Sequence, residues 1–245
     1  MKLDKIESYQ LSAGGIGDCL LSISIFYDQI PENQKETFIF LANNKKSIIE
    51  LLNLFPKVQT LVLDNNFSLL TELYFNQKCK GTGILPRDLN YKNWYQINVF
   101  DQYKVNQFPD FVNLFTPLRV ESNKPKQLIL QSQGSLIEGF QKQRVLTKQT
   151  LNIVYNTYQN DYNIIDISNT TTFLSILDIL RLIKGSDLVI GVDSFAKSFS
   201  AMCRIPTIVY DNLYSQEYLN NFKDHRDYGH HIFIDNWEYI EFRKQ

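Results

Sequence analysis

The sequence predicts an α/β fold in two halves, each a parallel sheet with crossover helices. Three observations predict it. Short apolar runs alternate with amphipathic stretches along most of the chain, as strands alternate with helices. Near the start, Ala13-Gly14-Gly15-Ile16-Gly17-Asp18-Cys19-Leu20-Leu21 reads as strand end, tight turn, acidic residue and helix. Towards the other end, Asp187-Leu188-Val189-Ile190-Gly191-Val192-Asp193-Ser194 reads the same way. Two such turns in two halves suggest two Rossmann-like domains facing each other across a cleft.

The elements follow in order. Residues 6–12 have the length and composition of a first strand. Gly14, Gly15 and Gly17 form the turn, Asp18 caps the next helix, and Leu20, Leu21, Ile23, Ile25 and Phe26 give that helix its apolar positions. A buried strand is expected over residues 36–42, a helix around 46–55 after the Asn43-Asn44 turn, and a third strand over 58–63. From Asn65 to about Leu118 few clear periods occur. Residues 76–88 read as a loop over the sheet edge and 110–115 as helical. The polar, proline-containing stretch at 121–126 marks the boundary, giving an acceptor-side domain 1–122 and a donor domain 123–245.

The second half restarts the pattern. A strand over residues 127–131 ends in Ser132-Gln133-Gly134-Ser135. A helix over 148–158 and a strand over 162–167 follow. A helix over 171–183 carries Phe173, Ile176, Leu177, Leu180 and Ile183 on one face. Residues 188–192 form a nearly continuous apolar strand, as expected where both sheet faces are covered. A helix over 195–202 and a strand over 206–210 complete the pattern. The tail, residues 215–245, is expected to hold a helix and to pack Trp237, Tyr239 and Phe242 onto the body.

Composition narrows the class. The chain has 245 residues, 44% hydrophobic, which supports a sizeable core. A net charge of −1 argues against a dedicated nucleic-acid binder. Cys19, Cys79 and Cys203 are widely spaced and odd in number, so neither a disulfide framework nor a zinc site is expected. A reducing compartment follows from that usage. The first residues lack the apolar run of a signal peptide, and no segment approaches the roughly 18 apolar residues of a membrane span. A soluble, cytoplasmic protein without stable membrane insertion is therefore expected.

Three strand-end loops are candidates for chemistry. In the first, glycines let a ligand approach the backbone and the next helix presents free N–H groups to anions. The spacing is not that of a dinucleotide fingerprint, because Leu20 stands where a third glycine is needed; nor is it a P-loop, since no Gly-Lys-Ser/Thr follows. Asp18 is read as a general base in the cleft, although an N-cap alone explains an aspartate there equally well. In the second loop, Asp193 and Ser194 lie where open α/β sheets bind ligands, and the helix start can hold a diphosphate; capping again explains the same residue types. In the third, Ser132 and Gly134 are placed to contact phosphate or ribose, with Lys142 and Arg144 beyond them to neutralise a leaving diphosphate. An ordinary turn and a solvated helix face are the plainer accounts. His225, His230 and His231 lack metal-ligand spacing. Trp94 and its tyrosine neighbours suit core or lid packing better than base stacking.

The Gly14–Leu21 segment resembles the opening motif of the heptosyltransferases of glycosyltransferase family 9. Residues 166–211 resemble their donor region, opening with Asp166-Ile167-Ser168-Asn169-Thr170-Thr171-Thr172-Phe173, with Asn169 where the family has glycine. Asp193 and Ser194 match the family's donor signature, whereas Phe195 stands at its glycine and Ser198 at its histidine. The resemblance implies a GT-B-like fold and an inverting, metal-independent glycosyltransferase. Asp18 matches the base position. The partner would be a nucleotide sugar acting as substrate, with no further cofactor. The acceptor would be a glycan, a lipid-linked saccharide or a modified nucleic acid. The departures at Phe195 and Ser198 keep two alternatives open: a non-catalytic nucleotide-sugar-binding protein on the same scaffold, and a phage-type DNA-base glycosyltransferase.

Overall fold

A computed structural model describes residues 5–82, 108–134, 144–170, 174–210 and 239–244. The chain divides into two compact units, Met1–Phe111 and Val112–Gln245.

The first unit holds a parallel sheet of four strands: β1 (Tyr9–Ala13), β2 (Glu36–Ala42), β3 (Val58–Asp64) and β4 (Cys79–Thr82), in the order β3-β2-β1-β4. Helices α1 (Ile16–Phe26), α2 (Lys45–Leu52) and α3 (Phe67–Tyr74) provide the connections. Strand β2 shows why this sheet is covered on both faces. Phe38, Ile39, Phe40 and Leu41 are all fully buried, and successive side chains leave a strand on opposite sides. Ile39 and Leu41 join Leu11, Ala13 and Leu70 in one cluster. The Phe38 ring packs at a tilt against those of Phe26 and Phe40, with centroids 5.4 Å and 5.7 Å apart. Asn44 and Asn66 cap α2 and α3 by accepting from Ser47 N and Leu69 N.

The second unit holds β5 (Lys126–Gln131), β6 (Tyr162–Asp166), β7 (Leu188–Gly191), β8 (Thr207–Tyr210) and β9 (Ile240–Arg243), all parallel, in the order β6-β5-β7-β8-β9. Its helices are α4 (Lys148–Tyr158), α5 (Ile167–Thr170), α6 (Ile176–Lys184) and α7 (Phe195–Met202). Leu128, Leu130, Ile190 and Val154 form a core cluster. Phe199 of α7 meets Phe115 edge-on at 5.0 Å. Segment 118–120 belongs to this unit for a hydrogen-bonding reason. Leu118 N donates to Arg181 O and Val120 N to Gln127 Oε1, while Arg119 and Gln127 N both reach Asp187, each at 2.8 Å. Main-chain and side-chain bonds thus tie residues 118–120, which precede the polar stretch 121–126, to this unit, and the compact units divide at Phe111/Val112.

Several expectations need correction. The first strand begins at Tyr9 rather than residue 6. Part of the loop expected over 76–88 is strand β4, and α3 precedes it. The helix expected from residue 171 begins at Ile176, because Ser175 caps it by accepting from Asp178 N. The tail residues 240–243, assigned no strand by sequence, form edge strand β9. Residues 76–88 beyond 82, the Trp94 region, Phe173, the tail histidines and Trp237 lie outside the described residues.

Candidate functional site

In the first unit the chain leaves β1 and returns first as β2 on one side, then, after β3, as β4 on the other. The order reverses beside β1, and crevices at such switch points, at the carboxyl ends of the strands, are where open α/β sheets take ligands. The glycine loop follows β1 directly. Gly14 has φ of +131° and its N–H donates to Leu41 O of β2 at 3.0 Å. A Cβ on Gly14 would stand 2.3 Å from Asp18 Oδ2, so only glycine fits beneath that carboxylate. Gly15 is the N-cap of α1, and Asp18, third residue of the helix, accepts from Gly15 N at 2.8 Å. This is the reciprocal half of a capping box. The expected N-cap role of Asp18 is therefore corrected: Gly15 holds that place and Asp18 reaches back to it. Gly17, expected in the turn, is the second residue of α1. The Asp18 carboxylate lies half-buried over the loop. Beside it, burial and then the Asp18 charge push the thiol of fully buried Cys19 well up.

In the second unit β6 and β7 flank β5 on opposite sides, so the order reverses between β5 and β7. Their carboxyl ends bring Gln131 and Ser132 together with Asp193 and Ser194. Ser194 is the N-cap of α7 by position, but its hydroxyl makes no cap bond; it donates instead to Gln131 Oε1. Asp193 pairs with Lys197 at 2.5 Å. Simple capping by the Ser194 side chain thus does not account for the Asp193-Ser194 pair. Ser132 donates to Asp166 Oδ2 at 2.7 Å, and Asp166 Oδ1 accepts from Ser168 N at 2.9 Å. Gln133 N donates to Ser168 Oγ at 2.9 Å, fastening the end of β5 to the end of β6. Gly134 N donates to Arg144 O at 2.8 Å and Leu146 N to Ser132 O at 2.9 Å. An antiparallel bridge between Gln133 and Val145 returns the chain, so Arg144 stands beside Gly134 at the sheet edge. Lys142 lies outside the described residues.

The structure thus groups Gly14, Gly15 and Asp18 in one loop, and Ser132, Gly134, Arg144, Asp193 and Ser194 at one sheet edge. Sequence reasoning passed over Gln131 and the anchoring role of Asp166. The available signal was a glutamine closing the apolar run Leu128-Ile129-Leu130. A separate depression of about 230 Å³, lined by Arg119, Lys124 and Lys126 among others, lies at the opposite, amino-terminal edge of the sheet. Its cations are engaged: Arg119 with Asp187, Lys124 with Gln159 O, and Lys126 over the Tyr162 ring. Among the described residues no cluster of three or more His, Cys, Asp or Glu is placed to hold a metal ion. Among them, too, no helix is long and apolar enough to cross a membrane.

No family model matches the chain, and no curated protein matches it in sequence. Among solved structures it is similar to the dodecameric iron-containing heptosyltransferase TibC in complex with ADP-D-beta-D-heptose, at 11% identity and a TM-score of 0.48 over 86% of this chain and 60% of that one. It is likewise similar to the bacterial iron-containing dodecameric glycosyltransferase TibC from enterotoxigenic E. coli H10407, at 12% identity and a TM-score of 0.49 over 83% of this chain and 59% of that one. The chain thus spans about three fifths of the length of these chains.

Proposed function

We propose that this chain is a glycosyltransferase that takes a sugar from a nucleotide-sugar donor and passes it to an acceptor hydroxyl. One observation carries the reading: each of the two motif loops leaves its own parallel sheet at the strand beside which the order reverses. Of the residues quoted for the family 9 resemblance, residues 14–18 and the pair Asp193-Ser194 belong to those two loops. The GT-B-like arrangement of facing units, an inverting course, metal independence and a cytoplasmic location belong to the same proposal.

The second unit holds the donor. The free N–H groups at the start of α7 and the Ser194 end of that helix bind the diphosphate, and Arg144 adds positive charge at the neighbouring strand end. The first unit supplies the base. The Asp18 carboxylate takes the proton from the acceptor hydroxyl as that oxygen bonds to the anomeric carbon. The bond from that carbon to the diphosphate oxygen breaks on the opposite face, and its electron pair leaves with the nucleoside diphosphate. Stabilising charge on the departing diphosphate is where the helix start contributes most to rate.

Thermal unfolding with ADP-, UDP-, GDP- and CMP-sugars tests donor binding, because a ligand of the native state stabilises it by mass action, by about 2.7 kcal/mol at 100 times Kd. One donor class is expected to raise the midpoint. With that donor, Asp18→Asn keeps an acceptor for Gly15 N–H and is expected to retain binding while transfer falls roughly 10²–10⁴-fold. No shift with any donor sinks the donor assignment. Full transfer by folded Asp18→Asn sinks the base assignment, and binding without turnover in the native protein points to the non-catalytic alternative.

A further inference from the structure

Gln131 belongs to neither motif, yet it occupies the reversal point of the second sheet. It closes β5 and is only 6% exposed. Its Oε1 accepts the Ser194 hydroxyl proton at the start of α7. Among the described residues nothing accepts from its Nε2. That nitrogen is not sealed in either: among the described residues, the side-chain polar atom both shut off from solvent and without a partner is Arg181 Nε. A side chain nine-tenths buried therefore keeps an unused amide donor while its other end is bonded to Ser194, the residue that precedes an eight-residue helix. Buried polar groups ordinarily find partners, and one without a protein partner calls for another explanation.

The neighbouring strand is shaped around this residue. A Cβ at Gly191 of β7 would come 2.6 Å from the Gln131 carbonyl oxygen and 2.9 Å from its Cβ, so glycine there leaves Gln131 its place. Ser194 spends its hydroxyl on Gln131 rather than on a cap, which leaves the first N–H groups of α7 uncapped by that side chain. The ends of β5 and of the turn after β7 thus meet at the Ser194–Gln131 bond, with amide donors of both beside it. The uncapped helix start favours negative charge there. A tetrahedral phosphate offers oxygens to the helix N–H groups and, from the β5 side, to an amide. With Ser194 holding the oxygen end of the amide, only the donor end is left to meet a ligand.

We infer that the Gln131 side-chain amide donates to a phosphate oxygen of the diphosphate bound at the start of α7, and that Ser194 orients it for that task. This rests on the nucleotide-sugar reading for the nucleoside part of the ligand but not for the anion. The test is calorimetric titration of the full chain with inorganic pyrophosphate and, separately, with ADP, UDP and GDP. The variants are Gln131→Glu, which puts a carboxylate where the donor was, and Gln131→Met, which keeps the shape without the donor. Far-UV circular dichroism and the ligand-free melting temperature monitor folding.

The native chain is expected to bind pyrophosphate and one nucleoside diphosphate. Gln131→Glu should weaken both by at least about a hundredfold, and Gln131→Met by about ten- to a hundredfold, the range of one lost hydrogen bond to a charged group. If Gln131→Glu does not fold, Gln131→Met decides alone. Unchanged affinity in a folded variant overturns the role of Gln131 and leaves the nucleotide-sugar reading standing. Pyrophosphate binding that depends on Gln131, with no nucleoside diphosphate bound, upholds the anion site and sinks the nucleotide reading. Binding of neither ligand by the native chain overturns both.

Discussion

Gly14→Ala tests whether the Asp18 carboxylate is held over the glycine loop. Two separable penalties follow from the geometry. The φ of +131° at Gly14 is one that a residue with a Cβ adopts only under strain, costing about 1–3 kcal/mol. The new Cβ would also stand 2.3 Å from Asp18 Oδ2, so the carboxylate has to swing away and its bond to Gly15 N is lost. Loss of a capping interaction costs about 1 kcal/mol. Gly14→Ala is thus expected to destabilise by about 2–4 kcal/mol. Asp18→Ala removes the cap alone and should cost about 1 kcal/mol.

The double variant is the decisive one. With Asp18 already truncated, Gly14→Ala pays only for its backbone, and the cap cannot be lost twice. The double variant should be less destabilised than the sum of the single variants by about 1 kcal/mol, well beyond the ~0.5 kcal/mol within which independent sites add. Asp18→Asn serves as the steric control, because its side chain keeps the same size and the same acceptor. In that background Gly14→Ala should cost its full amount. Urea titration followed by far-UV circular dichroism gives the free energies, fitted separately for each unit's transition, since a chain of two units need not unfold in one step. Additive single variants would show that Asp18 does not lie over Gly14 in solution, and the base assignment would lose its geometric footing.

Two other perturbations probe the frame around the sites. Asp187 is buried enough to raise its pKa, but the Arg119 and Gln127 N–H bonds outweigh that and hold it below the ordinary carboxylate value. A depressed folded-state pKa gives stability that is present above the unfolded value of about 3.9 and is lost as pH falls through the folded one. Asp187→Asn should therefore cost about 1–2 kcal/mol at pH 7, after allowance for its partial exposure, and should flatten the fall in urea midpoint between pH 5 and strongly acid pH. A pH profile identical to the native chain's would refute the network as the tie that holds residues 118–120. Cys19 is fully buried and its thiol is pushed far up, so a thiol-reactive dye should modify it only on unfolding of the first unit. Labelling of Cys19 in the folded chain, located by peptide mapping, would contradict the packing of α1 against its sheet.

Residue pattern made the interior of this fold legible, and the edge strands β3 and β6 with it, but not the edge strands β4 and β9. Strand β2 was readable to its limits because five successive apolar residues, Phe38 to Ala42, leave both faces of a strand no polar option. Helices α4 and α7 were readable because Thr147 and Ser194 stand directly before them. Strands β4 and β9 were not. Cys79-Lys80-Gly81-Thr82 has little strand character of its own, and forms a strand by pairing with the buried β1. Ile240-Glu241-Phe242-Arg243 is likewise half-exposed and held by β8. Edge strands such as these owe their conformation to partners distant in sequence, which local propensity does not encode. The candidate site shows the same division. Glycine, aspartate and serine after an apolar run announce a strand-to-helix turn, so the residue types at 14–18 and 193–194 were visible at once. That Ser194 would turn from its helix to Gln131 depended on β5 lying next to β7 rather than next to β8. Strand order is the fact that converts two ordinary turns into switch-point loops, and it is set by which sheet faces bury together, not by the residues of the loops themselves.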